Sequence, residues 1–178
     1  MKYRLLPNPK AIRDAFIKQY ILSYQDYYNS HKNWISSNHI NFTEDYYNRM
    51  FMWDKFINAN KINFIDALSL LREKDIDVLF MAESSTCSGS DFCELNKQPE
   101  AVAIANSIEL AECISYEWFT SYELYLQDIY FSNSILPEDL YVFDDTFTWF
   151  IVFTHHCTAD NVPDSRFCLY YTRGTNND

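Results

Sequence analysis

His155, His156 and Cys157 are consecutive, and by residue type they are the part of this chain best equipped for chemistry. With Cys168, or with Cys87 and Cys93, they offer the nitrogen and sulfur donors that zinc takes. Cys157 beside His155 also has the composition of a thiol nucleophile and its base. Neither arrangement has the spacing that such a site needs. Adjacent residues on an extended strand point to opposite faces, so only one imidazole serves a given site. Cys87 and Cys93 stand wider apart than the usual ligand pairs of structural zinc sites. The expectation is therefore no enzyme, no catalytic residue, no metal and no cofactor, with the two histidines closing a strand. A carboxylate pair for acid–base work can be drawn from Glu138, Asp139, Asp144 and Asp145. Two consecutive Asp after an apolar run are, by type, turn formers.

The residues that stand apart most clearly are charged. From Gln98 to Ser165 there is no Lys or Arg, while Glu100, Glu109, Glu112, Glu117, Glu123, Asp128, Glu138, Asp139, Asp144, Asp145, Asp160 and Asp164 fall in that window. Residues 1–97 hold twelve basic and twelve acidic residues, so the net charge of −11 belongs to the later part of the chain. A field of one sign attracts cationic partners and repels nucleic acid and anionic membranes. Solvated helices usually mix both signs along their i,i+4 pairs, so the missing bases single this window out.

Composition sets the remaining bounds. A chain of 178 residues suits a single domain with its own core. Fourteen Tyr, fourteen Phe and four Trp supply both core volume and interface anchors. Two Gly argue against phosphate-cradling loops. Nothing near the start reads as a signal peptide, and no run approaches the length of a membrane span. Five irregularly spaced Cys then read as reduced thiols, and the expected location is the cytoplasm.

The elements that must position these residues follow from periodicity. Residues 9–30 predict one helix, with Ile12, Phe16, Tyr20 and Tyr24 on one stripe. Residues 43–58 predict a second helix capped by Thr43, with Tyr47, Phe51, Met52, Phe56 and Ile57 on its apolar side. Residues 63–74 predict a third, capped by Asn63, with Phe64, Ile65, Leu68 and Leu71 inward. Residues 76–81 and 101–105 read as strands, the second with a continuation of the following helix as its rival, and a Ser-rich loop lies between them at 84–91. A long helix is predicted over 107–130, capped by Asn106 or Ser107. Its apolar side would be Ile108, Ala111, Ile114, Trp118, Tyr122, Tyr125 and Ile129, and its acidic side Glu109, Glu112, Glu117, Glu123 and Asp128. Strands follow at 140–143, 147–154 and 166–172. The middle one is apolar on both sides, as in a strand covered on both faces. Helices first and strands later define one α+β domain, helical over about 9–74 and mixed over about 76–172, with a mainly antiparallel C-terminal sheet.

The segment Leu-Tyr-Val-Phe-Asp-Asp-Thr-Phe-Thr-Trp-Phe-Ile-Val-Phe-Thr-His at 140–155 resembles a pattern near the C-terminus of small bacterial proteins encoded beside toxins. That pattern usually ends in Thr-His-Glu, and here His156 takes the place of the Glu. As an acidic, aromatic-rich single domain, the chain is similar to immunity proteins of contact-dependent growth inhibition and other polymorphic toxin systems. The resemblance implies a stoichiometric inhibitor that binds and neutralises a basic protein toxin, such as a nuclease. The partner-binding candidates are Glu109, Glu112, Tyr116, Glu117, Glu123, Asp128, Glu138, Asp139, Asp144 and Asp145, with Trp118, Phe119, Tyr122 and Tyr130 as aromatic neighbours. No nucleic-acid or membrane partner is expected. The alternatives are a nucleic-acid-mimicking inhibitor, and a small enzyme or metal-binding protein using His155, His156 and Cys157.

Overall fold

The structure is a computed structural model that describes residues 1–38, 41–44, 46–47, 51–83, 100–125, 136–137, 139–157 and 166–173. Among these residues seven strands form one antiparallel sheet: β1 (Arg4–Leu5), β2 (Asn60–Asn63), β3 (Asp77–Ala82), β4 (Val102–Asn106), β5 (Leu140–Phe143), β6 (Trp149–Cys157) and β7 (Arg166–Thr172). Their spatial order is β1-β4-β3-β5-β6-β7-β2. The helices are α1 (Pro9–Tyr20), α2 (Tyr24–Ser37), the single turn α3 (Phe42–Glu44), α4 (Phe64–Lys74) and α5 (Ser107–Tyr125). The chain is a single α+β domain, with its helices mostly in the N-terminal half and its strands mostly in the C-terminal half.

The sheet is buried on both faces because its central strands are apolar on both. One face presents Val78, Phe80, Val142, Trp149, Ile151 and Phe153 to α4 and α5, which contribute Phe64, Leu68, Leu71, Leu110, Ala111 and Ile114. The other presents Leu79, Met81, Tyr141, Phe143, Phe150 and Val152 to Phe16 and Tyr20 of α1 and to Trp53. Trp149 and Ile151 are both buried, on the side that strand alternation assigns them. The register supports this, with Val142 opposite Ile151 and Tyr141 opposite Val152.

The N-terminal helices depart from the periodicity. Residues 9–30 form two helices, not one. Ile21 is extended and bridges Phe56, Leu22 N–H donates to Lys55 O at 2.8 Å, and Ser23 caps α2 by accepting from Asp26 N–H. The break lets the two helices serve different cores. Phe16 and Tyr20 meet the sheet, whereas Tyr27 and Ile35 join Phe42 and Tyr46 in a separate cluster. Residues 43–58 do not form one helix either. Thr43 lies inside α3, and after it Phe51 is extended and Met52–Lys55 make a 3-10 turn. Phe56, expected on that helix face, stacks instead on Phe150 of the sheet at 4.4 Å, and Tyr47 stays exposed. The short edge strands β1 and β2 have no counterpart in the sequence reading.

α4 begins at its Asn63 cap as expected, with the Asn63 side chain accepting from Asp66 N–H at 2.8 Å. Ile65, however, is exposed, and Ala67 takes the inward place. α5 is capped by Asn106, whose Oδ1 accepts from Ile108 and Glu109 N–H. Its buried side contains Leu110 and Glu117, while Ile108 is exposed. The predicted helix residues 126–130 lie outside the described residues, as do the side chains of Tyr122 and Tyr125.

Candidate functional site

α5 positions the outward part of the acidic set. Glu109, Glu112 and Tyr116 recur at i, i+3 and i+7, the spacing of one stripe along a helix. All three are exposed, Tyr116 at 67%. Glu109 Oε2 accepts from the backbone N–H of Lys2 at 3.0 Å. Glu112 Oε1 pairs with Arg72 Nε of α4 at 2.8 Å. An exposed pair of this kind adds little stability, and the Arg72 guanidinium offsets part of the Glu112 charge. Asp145, at the tip of the β5–β6 turn, is also exposed. Trp118 and Phe119 lean back onto the core, where both rings contact Phe64.

Three carboxylates from the candidate set turn inward. Glu117 is buried, and its Oε2 accepts from Leu136 N–H at 3.1 Å while Oε1 faces the Cys113 thiol. Asp144 organises the β5–β6 turn: it accepts from Thr148 N–H at 2.7 Å, Trp149 N–H at 3.0 Å, and the hydroxyls of Thr146 and Thr148. Asp139 is fully buried. Each of these is occupied in holding the fold, so the outward stripe is shorter than the acidic spacing implied. Asp128 and Glu138 lie outside the described residues, as does the side chain of Glu123.

Asp139 brings one of the two histidines into a defined arrangement. Its Oδ1 accepts from the backbone N–H of His155 at 2.8 Å, and its Oδ2 faces His155 Nδ1 at 2.8 Å. One carboxylate thus fixes both the backbone and the ring, and the geometry puts a proton on Nδ1. Beside it, Glu83 is buried at the end of β3, with its N–H donating to Asp139 O at 3.1 Å. Glu83 Oε2 accepts from Met52 N–H at 2.8 Å and from the Tyr141 hydroxyl. Burial and the Glu83 charge push the Tyr141 phenol well above its ordinary value, so it stays a donor. Arg13, buried on α1, donates to Ala82 O at 3.1 Å and lies 4.0 Å from Glu100. Lys55 sits over the Tyr46 ring, and burial lowers its ammonium pKa despite the pull of Glu83 and Asp54.

The sequence singles out His155, whereas Asp139, the carboxylate that holds its ring, lies sixteen positions earlier and adjacent only through β-pairing. Glu83, Tyr141 and Arg13 were missed entirely. The one signal for Glu83 is an acid placed directly after an apolar strand, which alone identifies no partner. The side chains of His156 and Cys157, with Cys87 and Cys93, lie outside the described residues. Among the described residues no group of three or more His, Cys, Asp or Glu is placed to hold a metal ion. No helix among them is long and apolar enough to cross a membrane. No protein-family model matches the chain, and no curated protein or solved structure is detectably similar to it.

Proposed function

We propose that this protein is a stoichiometric inhibitor of the immunity type, which binds a basic protein toxin through the outer face of α5. The observation that carries this reading is the stripe of Glu109, Glu112 and exposed Tyr116, within a window that has no Lys or Arg from Gln98 to Ser165. Acidic side chains around an exposed aromatic combine steering with a contact that can be desolvated on binding. The resemblance of residues 140–155 to proteins encoded beside toxins points the same way. The test is a binding experiment with the protein encoded next to this one. A one-to-one complex that blocks that protein's toxicity, and associates more slowly as salt rises, is the expected result. A complex indifferent to salt and to charge reversal at Glu109 and Glu112 removes the proposed surface. No complex at low salt removes the inhibitor reading.

A second reading is favoured by one observation, the Asp139–His155 pair. A carboxylate that orients an imidazole is the support used by general bases and by metal-bound histidines. On this reading the protein is a small enzyme or metal-binding protein centred on His155. Stoichiometric zinc in the purified protein, or loss of protection in a folded His155→Gln variant, would promote this reading over the inhibitor.

A further inference from the structure

Residues 51–55 cross the second face of the sheet as a strap, and polar contacts fasten it from beneath. Met52 N–H donates to Glu83, and the backbone of Trp53 hydrogen-bonds the Tyr141 hydroxyl, itself a donor to Glu83. Phe51 and Trp53 stack on each other at 5.1 Å, and both meet the His155 ring edgewise, at 5.0 and 6.2 Å. Trp53 also meets Phe167 of β7 at 5.7 Å. His155 is therefore the side chain that joins the strap to Asp139. It is 30% exposed, whereas Asp139 is fully buried.

We propose that His155 is a pH-sensitive pin for this strap, holding it closed when the imidazole is protonated and loosening it when the ring is neutral. An imidazolium facing Asp139 makes a charge-assisted hydrogen bond, roughly twice as strong as the neutral one. The titratable and charged groups on the surrounding elements are Asp139 before β5, Tyr141 on β5, Glu83 after β3, Asp54 and Lys55 on the strap, and Arg13 on α1. The side chains of His156 on β6 and Arg166 on β7 lie outside the described residues. By type, imidazole is the side chain that changes charge between pH 5 and 8. The closed strap binds the proton more tightly than the open one, so the closed population falls as pH rises.

Amide hydrogen exchange of Met52, expressed as a protection factor corrected for intrinsic exchange, reads strap opening directly. It should be compared at pH 5.5 and pH 8 with the NMR titration of the His155 ring and with the amide of Leu71 in α4. The expected result is about fivefold greater Met52 protection at pH 5.5, following the His155 titration, with no matching change at Leu71. In His155→Gln, whose amide can replace the Nδ1 donor but not its charge, the pH dependence should vanish. Met52 protection that is constant through the His155 titration overturns the proposal. So does an equal change at Leu71, or an unaltered pH dependence in the Gln variant. If that variant does not fold, the Met52 and Leu71 amides of the native protein decide alone.

Discussion

Asp144 shows how one side chain can hold a turn that its residue type only hints at. It satisfies two backbone N–H groups and two hydroxyls, and Phe147 then adopts a φ of 53°. That left-handed conformation is unfavourable for a bulky residue. The Phe147 carbonyl is taken up by the Tyr20 hydroxyl and by Gln19 Nε2 at 2.7 Å, which ties the turn to α1. Asp144→Ala should destabilise the protein by about 2–3 kcal/mol at pH 7 in urea unfolding, since it strips partners from a buried turn. Burial by itself would raise the Asp144 pKa, but the hydrogen bonds from Thr146, Thr148 and Trp149 outweigh it and hold the value down. A carboxyl depressed in the fold stabilises above its unfolded value, about 3.9, and loses that contribution as pH falls through the folded value. The penalty of Asp144→Ala should therefore shrink at acid pH; an equal penalty at pH 7 and pH 2.5 would contradict this. At the alkaline end, burial and then the Asp144 charge raise Tyr20 to about 12, and Tyr141 lies well above its ordinary value. Stability from these phenols is complete below about pH 10 and declines as pH rises, because the unfolded chain releases its protons first. Ultraviolet titration of the folded protein at pH 11 should leave these two phenols un-ionised. Burial, reinforced by Glu117, raises the Cys113 thiol to about 11. Its alkylation at pH 8 should lag that of an ordinary cysteine by roughly a hundredfold.

At the scale of elements, β6 carries the most weight, because its alternate residues enter the two cores on opposite faces of the sheet. Trp149→Ala should cost about 3–5 kcal/mol, measured by chemical unfolding, through the cavity it leaves beneath α4. A loss below about 1 kcal/mol would show that the site collapses or that the strand is peripheral. β6 was legible because alternation with both faces apolar admits one reading, a central covered strand. The bounds of β5 and β7 were also legible, as turn residues or a change in polarity frame both. Helix α4 was legible through Asn63, whose cap hydrogen bond is local. What escaped was decided by distant partners. The stripe through Tyr20 and Tyr24 is continuous in sequence, and the break at Ile21 exists because Phe56 pairs with it. Glu117 sits among solvated acids in sequence, and its inward position depends on Leu136 N–H. The Asp139–His155 pair likewise depends on β5 lying beside β6, which no local spacing announces.

For the molecule as a whole, charge and chain order matter most. The double reversal Glu109→Lys, Glu112→Lys should slow association with a basic partner about tenfold at low salt. The difference should fade as screening shortens the field to a few ångströms near 1 M. Stability should change by less than about 1 kcal/mol, since the Arg72–Glu112 pair is exposed. Stopped-flow association across a salt series checks both parts, and equal rates for the variant and the native protein would refute the steering role. The sheet order also separates position in space from position in the chain. Both edge strands, β1 and β2, come from the N-terminal half of the sequence, and β2 pairs with β7, the last strand to be made. On the ribosome, at about 5–20 residues per second, the ring-rich N-terminal segments must wait roughly 6–20 s for the strands that cover them. During that interval their exposure is set by the pace of translation rather than by any folding rate. Slower translation therefore lengthens the time for which a newly made copy leaves these rings uncovered.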